Sequence, residues 1–259
     1  MTVNPEMLEE ESTILSRPEF AASKTISDFF RKIRLAFSII LQIIKLPVVQ
    51  LKFELKINPV NIQRTYEYFT KPHPVYKVFK NKSVGAELIS LQSFQTRNCY
   101  IESVKAKDRA WRYAKRAKAR KYVFVEIDRN DYVEDIHEIN TSMTFRQGRE
   151  MDSAYLMKVD QYEDLSNFKY FGVLNNEGKL VAYCNVGLYG NFYSIERIIG
   201  YRNNDGVMHF LVVEMICRII EGGIGDYLMY DTYFGASSSM KLFKEMFGFS
   251  PYRVRFSIQ

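Results

Sequence analysis

Glu196 stands in an otherwise apolar run of Phe192, Tyr193, Ile195, Ile198 and Ile199. A carboxylate partly withdrawn from water has a raised pKa, which suits it to act as a general base toward an amine. Its alternative roles are structural: a partner for Arg197, or a solvated strand face. Tyr230 and Asp231, near the end of the next expected strand, are further candidates for proton transfer. Arg202-Asn203-Asn204-Asp205-Gly206-Val207 joins a strand to a helix. Unpaired N–H groups at a helix start attract phosphate, and Arg202 adds charge. Asp205 would repel phosphate and reads equally well as the N-cap of an ordinary turn.

Arg146 and Arg149 flank Gly148 in Phe-Arg-Gln-Gly-Arg-Glu. Guanidinium pairs grip phosphate or carboxylate bidentately; a plain surface pair is the alternative. Lys105, Arg109, Arg112, Arg116 and Arg120 recur at helical spacing, which predicts one basic helix face. Such a face could follow a tRNA backbone, with Trp111 and Tyr113 available for stacking, or it could simply be solvated. No base-reading motif accompanies it.

The three cysteines, Cys99, Cys184 and Cys217, and the three histidines, His73, His137 and His209, are scattered. Neither set has metal-ligand spacing, so no metal is expected, and the cysteines fit a reducing, cytoplasmic compartment. A chain of 259 residues, 47% hydrophobic and with a net charge of +6, can bury a substantial core and attracts anions.

The elements that must position these residues follow from periodicity. Residues 1–25 read as a flexible acidic lead without the features of a secretory signal. Residues 26–46 read as an amphipathic helix broken at Pro47. It is too short and too charged to span a bilayer, and within it residues 29–44 could lie in a membrane interface or pack on the protein. Residues 48–57, 75–79 and 86–91 are strand candidates, with a helix over 60–70. Residues 26–100 together form an extension packed on a domain spanning 101–259. In that domain, helical spacing covers 103–120 and 131–143, with a strand over 122–127 between them. Beyond residue 169 the pattern becomes regular: strands over 170–174, 179–189 and 192–201, a helix over 207–220, a strand over 226–232, a helix over 237–247 and a strand over 249–258.

This order resembles the GNAT acyltransferase fold, and within it the FemAB-like branch. Two stretches carry the resemblance: DRAWRYAKRAKARKYVFVEI with the following DYVEDIHEINTSMTFRQGR, and YDTYFGASSSMKLFKEMFGFSP. The implied fold class is α/β with a mixed sheet, GNAT-like, carrying an N-terminal helix and strand extension. The implied activity is transfer of an acyl group from acyl-CoA, such as acetyl-CoA, to an amine on a small molecule or peptide. The FemAB branch implies aminoacyl-tRNA as the alternative donor, and a catalytically silent binding module is a third reading. By resemblance, Ile198, Ile199, Arg202, Asn203, Asn204, Gly206 and Val207 hold the cofactor, and Arg146 and Arg149 border the acceptor. Lys244 matches the Lys of a Phe-Lys pair and serves either substrate phosphate or its helix C-terminus. The turn from Arg202 to Gly206 is one residue longer than the usual GNAT turn. Phe243 stands where many GNAT enzymes place a tyrosine acid.

Overall fold

A computed structural model describes residues 34, 40–74, 77, 79–146 and 149–259. Most of the expected helix over 26–46 and all of the acidic lead lie outside the described residues. Within that helix, residues 40–45 are helical and leave Ile40, Leu41 and Ile44 exposed.

The chain then forms β1 (Val48–Phe53), α1 (Pro59–Thr70), β2 (Val84–Ser90), α2 (Arg97–Ala106), α3 (Arg109–Ala119), β3 (Val123–Glu126) and α4 (Val133–Thr141). A short hairpin of β4 (Phe145–Arg146) and β5 (Arg149–Glu150) and the single turn α5 (Ser153–Leu156) lead to β6 (Phe168–Leu174). After it come β7 (Leu180–Leu188), β8 (Phe192–Gly200), α6 (Val207–Gly222), β9 (Tyr227–Thr232), α7 (Ser238–Met246) and β10 (Ser250–Ile258). From β6 onward this is the expected order of strands and helices, within a mixed α/β fold.

Eight strands share one sheet in the order β1-β10-β2-β9-β8-β7-β6-β3. The β8–β9 and β1–β10 pairs are parallel and the other pairs antiparallel. β2 is inserted between β10 and β9, so the expected extension is woven into the sheet itself. Apolar residues of α2, α3, α6 and α7 pack together with one set of strand residues around Phe171, Cys184 and Leu228. α1 covers Phe53, Leu88 and Tyr189, and α4 covers Tyr183, Leu180 and Ile199.

Local chemistry sets the boundaries. Asn58 caps α1, accepting from the Asn61 amide at 3.2 Å, and Pro59 supplies a ready-made first-turn φ. Gly223, at φ +62°, ends α6 in the left-handed cap that glycine adopts without strain.

Two expectations fail in this region. The helix over 103–120 is two helices, because Asp108 adopts φ +59° between α2 and α3. Lys105 therefore belongs to α2 and shares no helix face with Arg109, Arg112 and Arg116, while Arg120 is the C-cap of α3. Of the strand expected over 75–79, only Lys77 and Phe79 are described, and neither is in a strand; the flanking Pro72 and Lys80 form a lone bridge.

Candidate functional site

β8 and β9 pair only where Phe192–Ser194 face Tyr227–Met229. Beyond that point the ladder stops, and a cavity of about 1310 Å³ opens between the strands. Glu196, Arg197 and Ile198 of β8 line it, as do Tyr230 and Asp231 of β9 and the Gly235–Met240 segment that starts α7. Two of the expected catalytic groups thus converge with Glu196 because a parallel pair separates.

A β-bulge sets the exposure of Glu196. Val186 faces Ile195 and Asn185 faces Arg197, leaving Glu196 unmatched on β8. Such an extra residue re-aims side chains. Glu196 accepts from the Tyr189 hydroxyl at 3.1 Å. Solvent reaches its side chain through the cavity mouth, yet protein crowds it on most sides. Burial raises its pKa; hydrogen bonds from Ser194 and Tyr189 and the charge of Lys82 only partly oppose that. Arg197 is not its partner, which removes one of the structural roles considered for Glu196.

Asp231 sits at φ +55° and pairs with Lys82. Burial would raise its carboxyl, but Lys82 outweighs that and holds it below the ordinary carboxylate range. The two carboxylates are thereby pushed apart: Glu196 toward the neutral acid, Asp231 toward the anion. Tyr230 is buried, with Lys244 Nζ 5.0 Å from its ring centre.

Lys244 itself is 2% exposed. It forms an ion pair with buried Glu87 and donates to the Thr232 carbonyl at 3.2 Å. Its charge is thus shared with Glu87 and the Thr232 carbonyl, tying α7 to β2 and β9, while the residue also lines the cavity. Glu87 is pushed up by burial, and Lys244 offsets only part of this.

A second pocket of about 650 Å³ lies at the start of α6, lined by Arg109, Tyr113, Arg202, Asn203, Asn204, Gly206, Val207, His209 and Phe243 among others. Ser239 lines both hollows. Five of the expected cofactor residues meet here, and Ile198 lies on the first cavity. Ile199 does not join them: it is buried against the α4 cluster.

Asp205 is not the N-cap. Gly206 is, at φ +83°, and a Cβ there would lie 2.2 Å from the Tyr113 carbonyl oxygen. The Asp205 carboxylate instead turns to Arg120 and accepts from the Tyr122 hydroxyl at 2.8 Å, so its charge is neutralised. Arg116 donates to the Asn204 carbonyl at 2.9 Å. Two cations expected on a nucleic-acid track thus hold the turn in place. Lys105 pairs with Glu102 at 2.7 Å, and Arg112 lies 3.8 Å from Asp108. His209 stacks on Tyr113 and meets Phe243, and burial lowers its pKa to about 4, so the imidazole is neutral near pH 7. Arg202 reaches the Phe145 carbonyl at 3.5 Å, which brings the hairpin bearing Arg146 and Arg149 next to this turn.

Lys82, Glu87 and Tyr189 are the participants that sequence reasoning missed. Glu87 carried the same signal as Glu196, a carboxylate inside an apolar strand run. Lys82 and Tyr189 carried none. Among the described residues, no cluster of His, Cys, Asp and Glu could hold a metal ion, and no helix is long and apolar enough to cross a membrane.

No family model matches the chain, and no curated protein matches it. Among solved structures it is similar to L-PGS from Bacillus licheniformis, with TM-score 0.41 and 13% identity over 65% of this chain and 60% of that one. FemX aligns with TM-score 0.46 and 9% identity over 65% and 59%. A GCN5-related N-acetyltransferase from Kribbella flavida aligns with TM-score 0.35 and 10% identity over 50% and 46%. The chain thus spans about three fifths of the first two structures, and similarity this low says nothing of its activity.

Proposed function

We propose that this protein transfers an acyl group from a coenzyme A thioester to an amine. The observation that carries this reading is the separation of β8 from β9, which gathers a bulged Glu196 of raised pKa, Tyr230 and Asp231 around one cavity. Glu196 takes the proton of the acceptor ammonium, freeing the nitrogen lone pair to attack the acyl carbon. The donor supplies the acyl group and leaves as a thiol; its proton comes from solvent or from Tyr230, since Phe243 carries none.

The second pocket suits the donor's phosphates. It joins a helix start with unpaired N–H groups to Arg109 and Arg202, and Asp205 is neutralised by Arg120. The tRNA-dependent alternative loses support, because its five cations divide between two helices and two of them hold the turn. The test is release of free thiol from acetyl-CoA in the presence of a panel of amines. Amine-dependent release supports the reading; thiol release that no amine accelerates overturns it.

A further inference from the structure

The bulge that turns Glu196 into the cavity turns Arg197 into it as well. Neighbouring strand residues ordinarily face opposite ways, so two consecutive opposite charges lining one hollow is an arrangement the bulge makes. Arg197 is half-buried on an aromatic shelf, its guanidinium carbon 4.3 Å from the centre of the Tyr155 ring and the Tyr183 hydroxyl beside it.

The two lysines that line the cavity are each paired with a carboxylate. Lys82 pairs with Asp231, and Lys244 with Glu87. Among the described residues, no carboxylate lies within ion-pair distance of Arg197. Glu150 and Asp152 stand exposed at the rim, and Asp152 is occupied in capping α5 through the Ala154 amide at 2.9 Å. Glu196 and Arg197 are therefore left side by side without an opposite charge in contact. A guanidinium stays ionised throughout the physiological range and binds carboxylate or phosphate through a planar fork.

We infer that the acceptor is an amine that also carries an anionic group, carboxylate or phosphate, within a few bonds of its nitrogen. Arg197 holds the anion while Glu196 receives the ammonium. Both side chains stem from neighbouring positions of β8 and line the same cavity, so one small molecule can meet both. This rests on the acyl-transfer reading for its amine and deepens it with a substrate class.

The test uses matched pairs in ligand-observed NMR titrations of the full chain without donor: phenylalanine against phenethylamine, and phosphoethanolamine against ethanolamine. The expected result is at least about tenfold tighter binding of the anionic member, the scale of one charge-assisted contact. The pair that shows the preference identifies carboxylate or phosphate. Arg197→Gln should abolish the preference, the anionic member losing affinity relative to the plain amine. Arg197→Lys, which keeps the charge but loses the fork, should retain part of it. Equal affinities within both pairs, or a preference that survives Arg197→Gln, overturn the inference. An anion preference with no acyl transfer to any amine would sink the transfer reading alone. Transfer to plain amines with no anion preference would sink this inference alone.

Discussion

At the scale of residues, the site rests on one carboxyl displaced from its usual range. Because the pKa of Glu196 is raised in the folded protein, the basic form appears only above that raised value. The rate of acyl transfer should therefore show an acid limb lying above the ordinary carboxylate range. Glu196→Gln should lower turnover by about 10²–10⁴-fold, the usual scale of general acid–base catalysis, and remove that limb; full activity in this variant would end the assignment. The sign for stability is opposite to that for activity. Above the unfolded-state pKa, ionising a carboxyl whose folded pKa is raised costs folding energy. The Gln variant should therefore melt no lower than the parent at pH 8, as thermal denaturation at that pH would show.

At the scale of elements, two supports can be separated. Gly206 starts α6 with a left-handed backbone and no room for a side chain. Gly206→Ala should destabilise the protein by about 1–3 kcal/mol, the cost of holding an ordinary residue in that region, and weaken coenzyme A binding in calorimetry. The Glu87–Lys244 pair joins β2 to α7 beneath the cavity. Glu87→Gln would leave a buried ammonium without its partner, for which denaturant unfolding should read a loss of about 3–5 kcal/mol. Replacing both with apolar residues of similar volume should recover most of it, and a large loss in the double variant would mean the pair has a further role.

Strand and helix boundaries from β6 onward were legible because alternation and turn residues are local signals. The break at Asp108 was not: the basic residues keep helical spacing across it, and only backbone geometry separates the two helices. The cavity was half legible. Glu196 announced itself as a charge in an apolar strand, but the bulge that pairs its exposure with that of Arg197 depends on the register with β7. Lys82 lies 149 positions from Asp231, and no spacing encodes its approach; Tyr189 stands only seven residues before Glu196 and reaches it across the β7–β8 turn. The Glu87 partner of Lys244 was not legible, because a lone lysine at a helix end looks the same whether it faces solvent or a buried glutamate.

At the scale of the whole molecule, the net charge of +6 invites a nucleic-acid role. Of the expected basic track, Arg116 and Arg120 instead bond the turn before α6. The slope of log tRNA affinity against log salt should accordingly correspond to no more than about two neutralised phosphates, at roughly 0.7–0.9 per contact. A slope near five would restore the track and with it the aminoacyl-tRNA donor.

The placing of β10 also governs how the chain comes together. Its nine residues lie between β1 and β2, and Gln50 and Ser257, bonded across the β1–β10 pair, are 207 positions apart. Neither early strand can finish pairing until the last strand has been synthesised, so the N-terminal third waits with open edges while the β6–β8 meander is free to form. Pairings this distant slow folding, and exposed strand edges recruit other chains. A chain stopped before Ser250 would leave both β1 and β2 open at once, so its shortfall should appear as aggregation during synthesis.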